Sequence, residues 1–196
     1  MDKEQLRQNY ERLPDFKIIH MANFEANQLQ PEALEVLLAE IEKRNLSGNL
    51  VNAVKASTKK HSEEEITEYI NIIRNLPDPT TGKTNKKLNA TIISKTISFI
   101  VITRKKKTLF IGNPDSINKE LGSATTTTAA LGWWGIPWGI FYSISSIIHN
   151  SKMGKIDYED KPTNILAQFV VSNIGYIESN KHNPQKLKEL IVSATR

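Results

Sequence analysis

The sequence predicts an α+β protein that is mainly helical, with a small ribbon-like antiparallel β-hairpin and one kinked apolar helix or helical hairpin. Three observations support this prediction. Apolar residues recur at helical spacing towards both ends of the chain, and β-branched residues alternate in its middle. An uncharged, tryptophan-rich run then extends from Ala124 to Ile148, which is 25 residues.

Residues 1–47 are predicted to form an N-terminal helical segment. Pro31 suits the first turn of a helix. The residues after it place leucine and isoleucine at i, i+3, i+4 and i+7, the pattern of an amphipathic helix: Leu34, Leu37, Leu38 and Ile41. Residues 48–61 follow, and they are predicted to be a linker.

Residues 62–123 are predicted to contain a helix followed by the hairpin. Ser62 and Glu65 form a capping-box pattern that opens the helix, and Pro77 ends it. Residues 90–103 are rich in β-branched residues and predict a strand in which Phe99 and Val101 face inward. Residues 104–107 are predicted to be the turn, and residues 108–111 the second strand.

Residues 124–150 form an apolar segment that contains all three tryptophans of the chain. A helix of 25 residues would be about 37 Å long, which exceeds a bilayer core of about 30 Å. Three interpretations are open: a kinked transmembrane span, a shallow hairpin hinged at Pro137, and a buried hairpin in a soluble core. Residues 151–196 are predicted to be C-terminal helices.

A membrane location predicts specific interface residues in this segment. Aromatic side chains and a proline would gather at the headgroup boundary, namely Trp133, Trp134, Pro137, Trp138 and Tyr142. Basic residues are more numerous before the run than after it, which favours a cytoplasmic N-terminal side. We therefore expect membrane lipid as a partner, and a soluble cytoplasmic protein is the alternative.

The net charge of +5 is concentrated in residues 77–123, which hold nine basic and three acidic residues. A basic patch lies there at Arg104, Lys105, Lys106 and Lys107. Such a patch can contact nucleic acid phosphates. Because no aromatic residue is interleaved with it, a solvated turn is the favoured interpretation, and nucleic acid is an unlikely partner.

Two short motifs flank the predicted strands with the same spacing. The first places Asp78 and Thr81 around a proline, and the second places Asn113 and Ser116 around another. Zinc ribbons carry Cys-Pro-x-Cys motifs on both sides of a hairpin in this way. The chain has no cysteine, so we predict a degenerate ribbon without metal.

The sequence shows no catalytic signature. The four histidines are scattered, and Gly82-Lys83-Thr84 lacks the upstream glycine of a phosphate-binding loop. We therefore predict no enzymatic activity, no catalytic residue, no metal ligand and no cofactor.

Several motifs together resemble an uncharacterised family of bacterial, Bacteroidetes-type proteins associated with membranes. The matching residues are Leu88-Asn89-Ala90-Thr91, Ser98-Phe99-Ile100 and the segment from Gly132 to Gly139. The resemblance implies a helix, a zinc-ribbon-like hairpin and a membrane-like apolar segment. It implies no chemistry, and the missing cysteines are a departure from the family's pattern.

We therefore expect a non-enzymatic, membrane-associated interaction or scaffolding protein with a protein partner that the sequence does not identify. The alternatives are a soluble basic protein that binds nucleic acid through residues 104–107, and an enzyme whose site has no recognisable motif. The sequence leaves the oligomeric state open.

Overall fold

A computed structural model describes residues 3–99, 102–134 and 138–195, without the side chains of Phe99, Trp138 and Gly139. Helices account for 64% of the chain, and the sheet is a two-stranded antiparallel hairpin. The predicted mainly helical α+β fold is therefore confirmed. The chain divides into two compact units, which are described separately: residues 1–72 with 168–187, and residues 73–167 with 188–196.

The first unit is helical. Its elements are α1 (Lys3–Glu11), α2 (Asp15–His20), a π-helical turn (Met21–Glu25), a 3-10 turn (Ala26–Gln28), α3 (Pro31–Lys43), α4 (Gly48–Thr58), most of α5 (Glu63–Arg74), and α9 (Ile174–Asn180). Leu37 and Ile41 of the predicted stripe are buried in its core together with Ile18 and Val54. At α5, Glu65 N–H donates to Ser62 Oγ and Ser62 N–H to the Glu65 carboxylate, which confirms the capping box.

Helix α4 occupies residues that the sequence predicted as a linker. Ser47 caps it by accepting a hydrogen bond from Asn49 N–H, and Leu50, Ala53 and Val54 are buried. A β-carbon at Gly175 of α9 would lie 2.8 Å from the Asn23 carbonyl and 3.1 Å from that of Ala53. Close packing in the unit therefore outweighs the weak helix propensity of this segment.

The second unit contains the hairpin and the helices beside it. Strands β1 (Asn89–Phe99) and β2 (Ile102–Gly112) are followed by α6 (Pro114–Leu131) and α7 (Trp138–Met153). Helices α8 (Asn164–Ser172) and α10 (Pro184–Ala194) each contain residues of both units. The predicted turn at residues 104–107 is wrong, because these residues lie within β2 and pair with residues 94–97 of β1. Val101 lies outside the described residues.

The transmembrane prediction is wrong for the described part of the chain, where no helix is both long and apolar enough to cross a membrane. The uncharged run is divided between α6 and α7. These helices pack side by side in opposite directions, since Gly132 lies against Ser143 and Thr125 against Asn150. The predicted hinge at Pro137 lies outside the described residues.

Polar residues of the segment 124–150 form hydrogen bonds with the backbone and side chains of strand β1. The Asn150 amide accepts a hydrogen bond from Ser94 N–H at 2.9 Å and donates one to the Ser94 carbonyl at 2.8 Å. Thr128 Oγ1 accepts from Thr96 N–H at 3.1 Å, and Ser146 Oγ is 2.8 Å from the hydroxyls of both Ser94 and Thr96. The buried residues of the run lack charge because they pack against β1, and this contributed to the mistaken prediction of a membrane span.

Candidate functional site

The two proline motifs come together in the structure. The buried Asp78 carboxylate accepts hydrogen bonds from Thr81 N–H at 2.8 Å and from Asn113 N–H at 2.7 Å. The hydroxyls of Thr81 and Ser116 bond to it as well. All four positions predicted as former metal-ligand positions are therefore in one cluster.

This cluster is built around a carboxylate. Burial raises the pKa of Asp78, but the hydrogen bonds from Asn113 and Thr81 outweigh it, so the net pKa lies below its ordinary value. A β-carbon on Gly112 would lie 3.1 Å from the carboxylate, so the backbone approaches it closely. Within the described residues, no group of three histidine, aspartate or glutamate side chains could hold a metal ion. The cluster ties the loop that precedes the hairpin to the residues that connect β2 with α6.

Asn89 holds the start of β1 in a comparable way. Its amide donates hydrogen bonds to the carbonyls of Tyr158 and Lys161, and its oxygen accepts from Thr163 and from Ala90 N–H. The Leu-Asn-Ala-Thr motif thus anchors the loop after α7 to the hairpin.

The residues predicted for a membrane interface form an exposed apolar surface. Trp134 is 69% and Phe141 65% exposed, and Trp133 and Tyr142 are also exposed. The indole of Trp134 donates to the Ala130 carbonyl at 3.0 Å. Along α7, Ile140, Ile144 and Ile148 extend the surface. Pro137 and the side chain of Trp138 lie outside the described residues.

The basic patch is divided between the two faces of the hairpin. Side chains alternate along a strand, and the register places Arg104 and Lys106 on the face that also carries Lys95. Lys105 points the other way, where its ammonium donates to Ser145 Oγ at 2.8 Å and lies 5.9 Å from the centre of the Tyr142 ring. The four residues therefore do not form a single patch.

A groove of about 1050 Å³ opens on the face with Lys95. Its walls come from both strands, from α6 and from the C-terminal end of the chain: Ile93, Lys95, Ile97, Ile102, Arg104, Lys106, Thr108, Phe110, Glu120, Ala124 and Thr195. Ile93 is buried against Ile117 and Leu121 of α6, whereas Ile102 near the tip is 59% exposed. The groove therefore has an apolar floor that is covered at one end and open at the other.

The charge of this groove is strongly positive. Lys95 lies directly opposite Lys106 across the hairpin, and Arg104 is one same-face position further along β2. Like charges in opposite positions destabilise a sheet. In the part of the chain that the structure describes, neither Lys95 nor Arg104 forms an ion pair, and Glu120 is the one acidic residue among the described lining residues.

Edge protection explains only part of this charge. Lysine on an edge strand prevents further strands from pairing with it, and this reason is sufficient for the basic run on β2. It does not explain Lys95, because β1 is already covered by Asn150 and Thr128. Lys95 is therefore the cation of the groove that edge protection leaves unexplained.

Two smaller cavities lie in the first unit. One has a volume of about 660 Å³ and has five asparagines among its lining residues. The other, of about 390 Å³, contains Tyr69, whose hydroxyl donates to Glu178 at 2.9 Å. Burial, followed by this hydrogen bond, raises the pKa of Tyr69. A tyrosine held in its protonated form in this way ties α5 to α9.

No known protein family, curated protein or solved structure matches this chain. The resemblance to a Bacteroidetes-type family is therefore still a prediction.

Sequence reasoning missed Lys95 and the isoleucines around it as candidate site residues. The alternation Ile93, Lys95, Ile97 was a usable signal, because a period of two places these residues on one face of a strand. The basic residues of β2 were identified, but their assignment to a turn concealed the face that they share with Lys95.

Proposed function

We propose that the protein is a non-enzymatic interaction protein whose hairpin groove binds a partner that combines apolar surface with clustered negative charge. The observation that carries this proposal is the placement of Lys95, Lys106 and Arg104 together on an apolar floor. Such a placement costs stability in the free protein. A negatively charged partner would offset that cost.

The shape of the groove supports binding over catalysis. Ligand sites are typically concave, mainly apolar and provided with a few well-placed polar groups. The lining here includes three isoleucines, an alanine and a phenylalanine, with three cations and no histidine among its described residues. It offers charge and apolar contact, and it offers no paired acid and base.

Nucleic acid is the weaker candidate for this surface. Proteins that bind single strands on a sheet stack the bases on aromatic side chains. The described groove lining contains one aromatic residue, Phe110, among several isoleucines. The division of the basic run between two faces also reduces the charge that a single strand could contact.

A small anionic amphiphile tests the proposal directly. Dodecyl phosphate, kept below its micelle-forming concentration, should bind more tightly in calorimetry than dodecanol or inorganic phosphate. Of the three compounds, it alone combines an apolar chain with a negative charge. The double variant Lys95→Glu/Arg104→Glu should weaken this binding by about tenfold or more, as expected when close charge pairs are reversed.

The matched control is Lys155→Glu, which changes an exposed lysine of the same unit outside the groove lining. It should bind dodecyl phosphate like the parent protein. Equal affinity in the double variant and in the control would contradict the proposal. Tighter, steeply salt-dependent binding of a single-stranded oligonucleotide would instead favour nucleic acid.

A further inference from the structure

We infer that the occupant of the groove is an acidic amphipathic helix of a partner protein. This inference rests on the proposed function and specifies the chemical class of the partner. It is based on three observations: the dimensions of the open face, the layers of the second unit, and the positions of the cations on both strands.

The length of the face suits a short helix. From Ile93 to the level of Ile102, the lining follows same-face positions of β1 over six residue-to-residue steps, since Ile102 pairs with Phe99. At about 3.4 Å per residue this is roughly 20 Å. A helix of roughly 13 residues has the same length.

In the second unit, the groove face of the hairpin is only partly covered by helices. The opposite face of the hairpin is contacted by α7, through Ser146. On the groove face, α6 covers Ile93 but leaves Ile102 exposed. Stable domains bury the apolar face of a sheet against another layer, and a helix is the element that covers the other side here.

The charges select an acidic helix. Lys95 is on β1, and Arg104 and Lys106 are on β2, so both strands contribute cations to this face, between the apolar positions at its two ends. A helix with an apolar stripe flanked by glutamates would present carboxylates to both strands while its stripe contacts Ile97 and Ile102. A single acyl chain carries its charge in one head group. It would not present charges to the cations of both strands along its length.

Designed peptides test this inference in the full-length protein. Two labelled peptides share one leucine stripe, and their flanking positions carry glutamate in one peptide and lysine in the other. A scrambled glutamate peptide controls for charge without the stripe. Fluorescence anisotropy should show that the glutamate peptide binds at least about tenfold more tightly than either of the others, and circular dichroism should show helix formation on binding.

Charge reversal in the groove gives the decisive comparison. The variant Lys95→Glu/Arg104→Glu should no longer bind the glutamate peptide and should instead bind the lysine peptide. The control Lys155→Glu should bind both peptides as the parent chain does. Because both variants can be checked for a cooperative thermal transition at or above that of the parent protein, loss of binding is separable from loss of folding. The gain of the lysine peptide cannot arise from misfolding.

The remaining outcomes separate this inference from the proposed function. If dodecyl phosphate binds and the glutamate peptide does not, the inference of a helical partner is overturned. The proposal that the groove binds anionic amphiphiles then still stands. Failure of both ligands overturns both proposals. Equal binding of the scrambled peptide would show that charge alone is recognised, which also overturns the helix.

Discussion

At the scale of single residues, Asp78 shows how a predicted ligand position can have a structural role. Its carboxylate accepts hydrogen bonds from the backbone of Thr80, Thr81 and Asn113. Asp78→Asn keeps the size of the side chain but places an amide donor among these donors. We expect it to lower the free energy of unfolding by about 1–3 kcal/mol, as for a buried hydrogen-bond group left unmatched. Urea denaturation measures this change.

The pH dependence of Asp78→Asn follows from the lowered pKa of Asp78 in the folded protein. Above the unfolded value of about 3.9, the ionised carboxylate stabilises the fold fully. As the pH falls below that value towards the folded pKa, protonation removes this contribution. The stability difference between the parent and the variant should therefore be constant near neutral pH and shrink below about pH 4. If the stability difference between the parent and the variant grows at acid pH, the hydrogen bonds to the ionised Asp78 carboxylate do not stabilise the fold as described.

Lys95 provides a prediction in which stability and binding change in opposite directions. Lys95→Glu would place a carboxylate opposite Lys106. Replacing a like-charge pair by an opposite pair in a sheet should raise the free energy of unfolding by about 0.2–1 kcal/mol. The same change should weaken the binding of dodecyl phosphate. Thermal denaturation and calorimetry on one preparation measure both effects, and a destabilised variant would show that Lys95 has a structural role.

At the scale of elements, two glycines of the α6 region give a matched pair of substitutions. A β-carbon at Gly132 would lie 2.0 Å from Ser143 Oγ and 2.5 Å from the Thr128 carbonyl, whereas Gly122 has open space around it. Gly132→Ala should destabilise the protein by about 1–3 kcal/mol or more, because the backbone must move. Gly122→Ala, inside the helix, should stabilise it by about 0.4–1 kcal/mol.

Chemical denaturation of the two alanine variants compares them directly. Gly132 has ordinary helical dihedral angles, φ −80° and ψ −23°, so alanine is not excluded by its backbone. If both substitutions stabilise the protein equally, α6 and α7 are not packed closely at Ser143.

The Asn150 side chain gives a prediction about the edge of β1. Asn150→Ala would leave both backbone groups of Ser94 without their partner. Each unsatisfied buried group costs about 1–3 kcal/mol, so a clear loss of stability should accompany faster hydrogen exchange at the Ser94 amide. Ser145→Ala, at an exposed position of the same helix, is the control and should leave that amide protected.

The elements differ in how well the sequence predicted them. The α5 capping box was predictable because Ser62 and Glu65 bond to each other's backbone locally. Helix α4 was missed because burial of Leu50 and Val54, and not local propensity, stabilises it. The 104–107 segment was assigned to a turn because four consecutive charges are usually solvated, but pairing with β1 keeps them extended.

At the scale of the whole molecule, the fold class was predictable and the groove was not. Periodicity alone distinguishes helices from a hairpin, so the α+β prediction needed no tertiary information. The groove combines two strands with Glu120 and Thr195, and residues so far apart in the chain meet only after folding. The uncharged run was misjudged for the same reason, since its partner is the edge of β1.

The location of binding tests the central claim most directly. Backbone amide shifts of the labelled full-length protein can be followed during titration with dodecyl phosphate. We expect the largest changes at Lys95, Ile97, Arg104 and Lys106, with little change along Ile140, Ile144 and Ile148 of α7. Changes centred on that α7 surface, or spread equally over Lys105 and Lys107, would show that the hairpin groove is not the binding site.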